Sequence, residues 1–588
     1  MSTEDSSDVT DDISFPRANI EGVQGIAGIL ATSLGPMSHD KFIGKSIASQ
    51  NDPDGVAYDD YVVTSDGGTI LDALPMEHPI APVVKRIVGD ELPGETGVEG
   101  GRISDGIIST VLLCGSLLDE AESLMEHGLH PTTIAGGFRA ALTVAESSLR
   151  SARRPVSSFD DEHGAVLTVA QTAMTGNNVG GNADQWASFA VDAAEAVGYP
   201  TPKSLGVEAV SGGSISDSRL VYGTVLPRNE IAHEDMPIAV DDARVLVLSG
   251  YKRKDASDGR VGGLRNPELQ ADATLDVSSP SDIASYEDVY ASRRERVIRD
   301  LVNADVDVVV TRLGIDDRYL RALADEGIMG IRGVNRLRLA RVALATGANQ
   351  VRDPTDIATE DIGHAGRVAR ITLGTRSGSR RLRYGTVFEG CEAPSSVTVL
   401  LRGAGAESGS ETARQIRKGA AAVALATGKR GSAPGVVPGG GAVDVGVARD
   451  VRQAAREHSS REQLAMVAFA DAIERIPYGL AKNAGLDPLT TVSNLRAAAA
   501  DRYETGLLLP SGKIGNTVQK GVLDSFSVRR DGYVTAVDIA ETILRVDDAI
   551  DANVSQEPAD EGDSIYDEHA EKHQDHLDEH GTEGTVWE

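Results

Sequence analysis

The chain has 588 residues, a formal net charge of −32 and an aromatic content of only 4%. At roughly 150 residues per domain this length predicts three or four domains, and a hydrophobic fraction of 40% is enough to build their cores. The acidic balance excludes nucleic acid and anionic membranes as main partners, because both require a basic surface.

The composition also indicates the environment of the protein. There are 12 Lys and 45 Arg residues beside 89 acidic ones, a lysine-poor balance that a salt-filled cytoplasm selects and that high-GC coding would also produce in part. The two cysteines, Cys114 and Cys391, are too few for a disulfide framework. The acidic start is unlike a signal sequence, and no apolar run approaches the ~20 residues of a membrane span. We therefore expect a soluble, cytoplasmic protein of a halophile.

The first third of the chain reads mainly as helices. After the acidic residues 1–16, apolar residues recur with a helical period from Asn19 to the turn signal Leu34-Gly35-Pro36. The segment 61–71 predicts a strand, an Asp-Gly turn and a helix. Further helices are predicted at about 78–90, 105–127, 131–150 and 161–196, with a glycine-rich loop at 91–104 and a polar interruption at 175–182.

The middle of the chain has a different pattern. Short β-type runs begin after about residue 207, and strands and helices then alternate, which predicts an α/β unit. Strands are predicted within 218–226 and at 243–250, 306–311, 328–333 and 397–401, and helices at 283–302 and 316–326, with a polar stretch at 253–282.

Alanine-rich helices return in the last part of the chain, before an acidic tail. They are predicted at 411–427, 440–456, 461–482, 488–499 and 533–551. The sequence therefore predicts a multidomain α+β protein in which helical outer segments flank a central α/β insertion.

Two glycine motifs have the wrong spacing for nucleotide-binding fingerprints. The GKS at 44–46 resembles the end of a P-loop, but the first glycine that a P-loop requires is His39 here. The segment 402–411 (RGAGAESGSE) has its third glycine one residue too late for a dinucleotide site, which favours an ordinary strand-to-helix turn.

Five other short segments share a Gly or Asp turn at a predicted helix start. Glycine lets backbone N–H groups approach a phosphate closely, the helix dipole favours an anion there, and an Asp can ligate Mg²⁺ beside the phosphates. The segments are SLGP (33–36), SDGGT (65–69), SDGIIS (104–109), PGGG (438–441) and VLDS (522–525).

With the sequence between them, these segments resemble the group II chaperonins, the thermosome family of archaea. The resemblance runs from about Arg17 to Ile550 and is carried by the motifs SLGPMSHDK, VVTSDGGTIL, SDGIISTVLLCGSLL, GLHPTTIAGGFRAA, SGGSISDSRLVYGTV, VVPGGGAVDVGVARD, REQLAMVAFADAIERIP, NAGLDP and ILRVDDAI. It implies a mainly helical equatorial ATPase domain from both chain ends, a small hinge-like intermediate domain, and a central α/β apical domain with a built-in lid.

The resemblance also implies domain boundaries and partners. We expect two stacked rings of about eight or nine subunits, in a homo- or hetero-oligomer, that enclose unfolded or partly folded proteins. The expected division is a disordered acidic tail (1–16), equatorial (17–160), intermediate (161–222), apical (223–371, with the lid at about 253–300), intermediate (372–404), equatorial (405–550) and a disordered, His-containing acidic tail (551–588).

Several positions match the nucleotide site of the family, which implies ATP or ADP with Mg²⁺ as cofactors. Asp66 matches the acidic residue near the γ-phosphate and is the candidate catalytic residue, and Asp105 matches the Mg²⁺ ligand. The implied nucleotide-binding residues are Gly35, Pro36, Asp66, Gly67, Asp105, Gly106, Ser109, Gly439, Gly440 and Asp524.

Other positions depart from the family at the phosphate end of the site. Where the family has three threonines after its Asp-Gly, this chain has Ile107, Ile108 and Ser109. Asn177 stands where the family has a nucleotide-sensing lysine. Met37 and Ser38 replace a Lys and a Gly, Ser104 replaces a Gly, and the insertion 91–103 lies beside this loop.

The largest departure is Lys418, which stands where family members carry the Asp that activates the attacking water. There is no acidic residue from Thr412 to Val443, so a small shift of the alignment does not restore one. Glu411 lies two helical turns away, ~10 Å along the axis, which is beyond the reach of a general base. Either Lys418 contacts the phosphate as a point charge, or it points into solvent.

Three functional hypotheses follow. The first is a chaperonin subunit coupled to ATP binding, with hydrolysis weakened or lost. The second is a non-hydrolysing pseudo-ATPase that regulates or scaffolds a ring, and the third is a ring or cage with no folding role. Because the two tails carry −17 of the net charge, they would also place a dense anionic brush inside the chamber if they project there, as the resemblance implies.

Overall fold

The computed structural model has sixteen helices and sixteen strands within the residues that it describes. The described residues are 14–48, 56–74, 80–85, 87, 105–174, 182–210, 213–229, 231–250, 264, 280–352, 354–355, 357–375, 382–392, 394–403, 406–431, 433–499 and 503–546.

The helices are α1 (Ser14–Ala31), α2 (Gly67–Ala73), α3 (Ala81–Lys85), α4 (Ile107–Glu126), α5 (Pro131–Ala152), α6 (Glu162–Met174), α7 (Ala183–Val197), α8 (Pro280–Asn303), α9 (Asp317–Asp325), α10 (Arg336–Thr346), α11 (Ala406–Ala426), α12 (Ala442–Glu457), α13 (Glu462–Ile473), α14 (Arg475–Asn483), α15 (Pro488–Ala498) and α16 (Phe526–Leu544). The described part of the chain has no helix both long and apolar enough to cross a membrane.

The strands are β1 (Lys41–Ala48), β2 (Val56–Thr64), β3 (Leu205–Val210), β4 (Arg219–Val221), β5 (Gly223–Leu226), β6 (Ala239–Leu248), β7 (Val308–Thr311), β8 (Met329–Ile331), β9 (Gln350–Val351), β10 (Gly363–Thr375), β11 (Leu382–Glu389), β12 (Val397–Arg402), β13 (Val436–Pro438), β14 (Thr505–Leu508), β15 (Lys513–Asn516) and β16 (Leu523–Ser525).

Helices α1–α5, α12, α13 and α16, from both chain ends, share one core. Helices α14 and α15 join α12 in a smaller cluster with Val445, and we call all of them the helical part (α1–α5 and α12–α16). On α5 the residues Ile134, Phe138 and Ala141 repeat on one face and are fully buried. The Phe138 ring lies 6.4 Å from that of Phe469 on α13. A Cβ on Gly137 would come within 2.6 Å of the Glu462 carbonyl oxygen, so this crossing depends on a small residue.

A second core is built by what we call the junction part (α6, α7, α11, β3, β4 and β12). Its three-stranded sheet has the order β3-β12-β4, with β3 parallel and β4 antiparallel to β12. Trp186 of α7 packs with Val207 of β3 and Ile416 of α11 in this core. Helix α11 therefore belongs to the junction core.

The central residues form a seven-stranded mixed sheet with three helices, which we call the sheet part (β5–β11 and α8–α10). Strands run in the order β5-β11-β10-β6-β7-β8, and β9 pairs with β6. Along β6, Val245 and Val247 join one apolar core while Leu246 and Leu248 join the other. This alternation follows from the period of two in a strand and buries both faces of the sheet.

The helical flanks and the α/β centre predicted from the sequence are confirmed, with differences at particular elements. The last helix begins at Phe526 and ends at Leu544, so the predicted range 533–551 is wrong at both ends. The predicted helix 461–482 is two helices, α13 and α14. Pro477 explains the break, because proline has no N–H and its ring clashes with the carbonyl four residues earlier, at Ile473.

Four elements of the sheet part were not predicted from the sequence: the two-residue strand β9, and α10, β10 and β11, whose exposed faces carry several arginines. The loop 91–104 and the acidic tails fall outside the described residues, apart from residues 14–16. Of the predicted lid segment, only Leu264 and residues 280–300 are described.

A buried ion pair connects the junction part to the sheet part. Glu208 of β3 accepts a hydrogen bond from Arg341 of α10 at 3.0 Å, with the two side chains 14% and 6% exposed. The neighbouring Arg338 lies 3.4 Å from the same carboxylate. Burial lowers the pKa of Arg341, and the carboxylate of Glu208 opposes this shift.

We expect Glu208→Ala to lower the free energy of unfolding by about 3–5 kcal/mol, because it leaves a buried guanidinium without its counter-ion. Urea unfolding in molar KCl measures the change. The control is Asp241→Ala, whose carboxylate is 74% exposed and pairs with Arg367; it should change stability by less than about 1 kcal/mol. Equal effects of the two variants would contradict a structural role for the buried pair.

Candidate functional site

All five predicted turn segments meet around one cavity of about 260 Å³, and four of them precede helices. Their helices α2, α4, α12 and α16 begin at its wall. Among the residues that line it are Gly35, Pro36, Asp66, Gly67, Asp105, Gly106, Ser109, Lys418, Gly440 and Asp524.

The fifth segment also reaches the cavity, but the prediction that SLGP begins a helix is wrong. It follows the end of α1 and leads toward β1. Gly35 has φ +80, a left-handed conformation in the turn that follows the end of α1 at Ala31. The side-chain amide of Asn483 donates hydrogen bonds to the carbonyls of Ala31 and Leu34 at 2.9 and 2.8 Å and holds this turn against α14.

Local capping explains the helix starts at the cavity. Asp66 caps α2: its Oδ2 accepts hydrogen bonds from the Thr69 amide and the Thr69 hydroxyl, both at 2.9 Å. Gly106 caps α4 in a left-handed conformation, with φ 76. Asp105 Oδ1 accepts a hydrogen bond from the Gly106 amide at 2.7 Å, which orients this carboxylate at the cavity wall.

The glycine loop before α12 needs its glycines for close backbone approach. Gly440 has φ +64, and a Cβ there would lie 2.5 Å from the Leu507 carbonyl oxygen. Gly440 lines the cavity, whereas Gly439 does not. Gly439 packs near Asp524, and a Cβ on it would lie 3.4 Å from Asp524 Cγ. Of the predicted nucleotide-binding residues, Gly439 is the one set back from the cavity surface.

The side chain of Lys418 points to the cavity and not to solvent. Its Nζ lies 3.1 Å from Asp105 Oδ1, and the two side chains are 24% and 18% exposed. Burial alone would lower the pKa of Lys418, but the carboxylates of Asp105, Asp66 and Glu411 raise it above its usual value. The ammonium therefore stays charged beside Asp105 at neutral pH.

The first turn of α4 adds an apolar wall to the cavity. A Cβ built on Gly67 would lie 2.7 Å from Ile108 Cγ1 and 3.2 Å from Ile107 Cγ2, so both side chains pack against the start of α2. Where the family has two hydroxyl groups, this chain places branched apolar groups. Asn177 lies outside the described residues.

At the other end of the cavity, the sequence analysis missed a buried charge cluster. The guanidinium of Arg529 pairs with Asp524 and lies 3.5 Å from Asp444 Oδ1, which also accepts a hydrogen bond from the Tyr533 hydroxyl at 2.7 Å. Burial raises the pKa of Asp444, although Arg529 and Tyr533 oppose this shift. The spacing of Arg529 and Tyr533, four residues apart on α16, was the available sequence signal.

The carboxylates of the cavity fit poorly with Mg²⁺ as a resident metal ion. Asp105 already bears the ammonium of Lys418 on Oδ1, and a divalent cation there would be repelled by that charge. Asp66 uses Oδ2 to cap α2. Among the described residues, no group of three or more His, Cys, Asp or Glu side chains could hold a metal ion.

Comparisons with known proteins agree along almost the whole chain. The sequence profile of the TCP-1/cpn60 chaperonin family matches residues 26–554. Thermosome subunit beta of Methanothermobacter thermautotrophicus is 32% identical over 546 residues, which cover 92% of each chain. Thermosome subunit beta of Aeropyrum pernix is 33% identical over 551 residues and 91% of each chain. Thermosome subunit 1 of Haloferax volcanii is 32% identical over 541 residues, covering 91% of this chain and 88% of the relative.

The cavity wall at Gly440 gives a stability test. We expect Gly440→Ala to destabilise the protein by about 2 kcal/mol, because a left-handed conformation penalises a Cβ and that Cβ would meet the Leu507 carbonyl. The control is Gly25→Ala in α1, where a Cβ meets nothing within 4 Å. This control substitution should stabilise the protein by about 0.5–1 kcal/mol, because alanine favours a helix more than glycine does. Urea unfolding of both variants measures the difference, and a neutral Gly440→Ala would contradict the described loop.

Proposed function

Because the chain belongs to the TCP-1/cpn60 chaperonin family, in its group II branch, we propose that it is a subunit of a double ring that encloses unfolded proteins and assists their folding. The match to thermosome subunits over more than nine-tenths of the chain carries this proposal. The rings hold about eight or nine subunits, as closed cyclic assemblies of one chain or of several related chains.

In this proposal the helical part is the equatorial domain, the junction part the intermediate domain and the sheet part the apical domain. The boundaries expected from the sequence are 17–160 and 405–550, 161–222 and 372–404, and 223–371. They differ from these parts at α11, which packs in the junction core, and at β11, which pairs in the seven-stranded sheet. The shared core of the two chain ends supports the equatorial assignment. The packing of α11 in the junction core supports a close mechanical link between the equatorial and intermediate domains.

We further propose that the cavity holds an adenine nucleotide. Its phosphate end is formed by Asp66, Asp105 and the first turn of α4, and its ribose end by Asp524. The Asp524–Arg529 pair leaves one carboxylate oxygen for a ribose hydroxyl, since an ionised carboxylate has about four lone-pair sites. Because Gly440 has no Cβ, its backbone can form the wall of the cavity between these two ends.

Hydrolysis in this cavity is proposed to be weak or lost, and the single observation that carries this is the Lys418–Asp105 pair. A general base must accept a proton, and an ammonium whose pKa is raised does not accept one at neutral pH. Glu411 is committed elsewhere: its carboxylate accepts hydrogen bonds from Arg414 at 2.7 Å and Gln415 at 2.8 Å. No other carboxylate lies on α11 near this position.

The same pair favours a second candidate, a pseudo-ATPase subunit that regulates or scaffolds a ring formed with active partners. The two candidates share the fold and the ring, and differ in whether any nucleotide is hydrolysed. For either candidate we propose a cytoplasmic location in a halophilic archaeon, consistent with 12 Lys against 45 Arg residues and the charge of −32. Salt would screen the acidic tails.

We expect the purified protein to release phosphate from ATP at least about 100-fold more slowly than the variant Lys418→Asp combined with Ile107→Thr and Ile108→Thr, because that variant supplies a carboxylate and two hydroxyls. A phosphate-release assay in molar KCl measures both rates. The control variant carries the same two threonine substitutions, but has Lys513→Asp, at an exposed position of β15, in place of Lys418→Asp.

A wild-type turnover as fast as that of the restored variant, and abolished by Asp105→Ala, would contradict the loss of hydrolysis. In that case the cavity would use a base other than the residue at position 418. If the variant with Lys418→Asp releases phosphate no faster than the Lys513→Asp control, the charge at position 418 is not what limits turnover.

We also expect a double ring in molar KCl, because salt at that concentration screens the repulsion between acidic subunits. Electron microscopy reports the ring symmetry directly. Light scattering in low salt serves as the comparison, where dissociation is expected. A monomer in molar salt would contradict both ring-forming candidates.

A further inference from the structure

We propose that Lys418 replaces the divalent cation of the nucleotide site, so that the cavity binds a nucleoside polyphosphate in its metal-free form. This inference rests on the proposed nucleotide binding and specifies the ionic form of the ligand. The observation that carries it is the position of the Lys418 ammonium, whose Nζ lies 3.1 Å from Asp105 Oδ1. Asp105 is the carboxylate that would otherwise hold the metal ion.

The pairing leaves Lys418 able to contact a ligand as well. An ammonium has three N–H donors in a compact head, of which the Asp105 carboxylate accepts one. Both residues line the cavity, so the ammonium borders the space in which phosphate oxygens would lie. Asp105 itself is held in place by the Gly106 amide, at 2.7 Å. Lys418 can therefore bridge the carboxylate and a phosphate, which is the role that a metal ion has in such sites.

The surroundings of the pair disfavour a hydrated Mg²⁺. Magnesium keeps several of its waters and binds through one or two carboxylates and the substrate phosphates. Here the neighbouring wall includes Ile107 and Ile108, which pack on Gly67 and whose side chains have no oxygen to bind those waters. A cation that is covalently part of the chain needs no such water shell.

Each carboxylate that lines the cavity already has a partner without a metal ion. Its charged side chains are Asp66, Asp105, Asp524, Lys418 and Arg529. Lys418 is paired with Asp105 and Arg529 with Asp524, and Asp66 accepts two hydrogen bonds as the cap of α2. A divalent cation would therefore have to share one of these carboxylates with an existing partner, which is a cation at Asp105 and at Asp524.

The test compares ADP binding with excess EDTA and with excess MgCl₂ at equal ionic strength in molar KCl, by isothermal titration calorimetry on the full chain. The wild-type Kd is expected to differ by less than about threefold between the two conditions. Lys418→Met should raise the Kd in EDTA by about tenfold or more, because it removes a charge-assisted hydrogen bond. Lys513→Met removes an exposed ammonium outside the cavity and should leave the Kd unchanged.

A second variant and a second signal keep the proposal testable if Lys418→Met folds poorly. Lys418→Asp should bind ADP about tenfold or more tightly with Mg²⁺ than with EDTA, because it restores a carboxylate pair. Electron paramagnetic resonance with Mn²⁺ as the probe should show Mn²⁺ immobilised by the ADP complex of Lys418→Asp but not by that of the wild type.

Two results would overturn the inference alone: wild-type binding that is at least tenfold tighter with Mg²⁺ than with EDTA, or Lys418→Met binding equal to wild type in EDTA. Absence of ADP binding in both conditions would overturn the inference together with the proposed nucleotide site. The two kinds of failure are therefore distinguishable by whether any ADP binds.

Discussion

The packing of α4 against α16 is the constraint on which the candidate site depends. The two helices come from opposite ends of the chain, and the two ends of the cavity are formed by residues just before them, Asp105 ahead of α4 and Asp524 on β16 ahead of α16. The approach is close, since a Cβ on Gly106 would lie 3.1 Å from Val528 Cγ1 and one on Gly532 would lie 2.9 Å from Thr110 Oγ1. The site therefore exists only when the shared core of both chain ends has formed.

Helix α11 links this cavity to the rest of the subunit. Lys418 faces Asp105 in the cavity, and the preceding residue, Arg417, donates a hydrogen bond to the Val207 carbonyl at 3.3 Å. The β3 strand that contains Val207 also contains Glu208, which pairs with Arg341 of the sheet part. A short chain of contacts thus runs from the cavity to the sheet part, and a change in the charge at position 418 acts at one end of it.

Elements with strong local signals could be predicted from the sequence, and elements that depend on packing could not. The helix start at Pro131 follows from His130 and proline in the first turn, and the starts of α2 and α4 follow from their Asp and Gly caps. Strands β10 and β11 were missed because their pattern is interrupted by arginines on the exposed face. The early start of α16 was missed because Phe526 and Val528 are buried by tertiary contacts and not by a clear helical period.

The sequence by itself determined the family, the glycine turns around the cavity, and the lack of an acidic residue from Thr412 to Val443. Only the tertiary structure decided between the two positions open to Lys418, solvent or cavity, and it showed that Asp524 is paired with Arg529. The physical reason is that Lys418 and Asp105 lie in distant parts of the chain, so their contact depends on how α11 and α4 are both placed beside α16. A local pattern specifies which residues a helix carries, whereas the packing of neighbouring helices decides which charges meet.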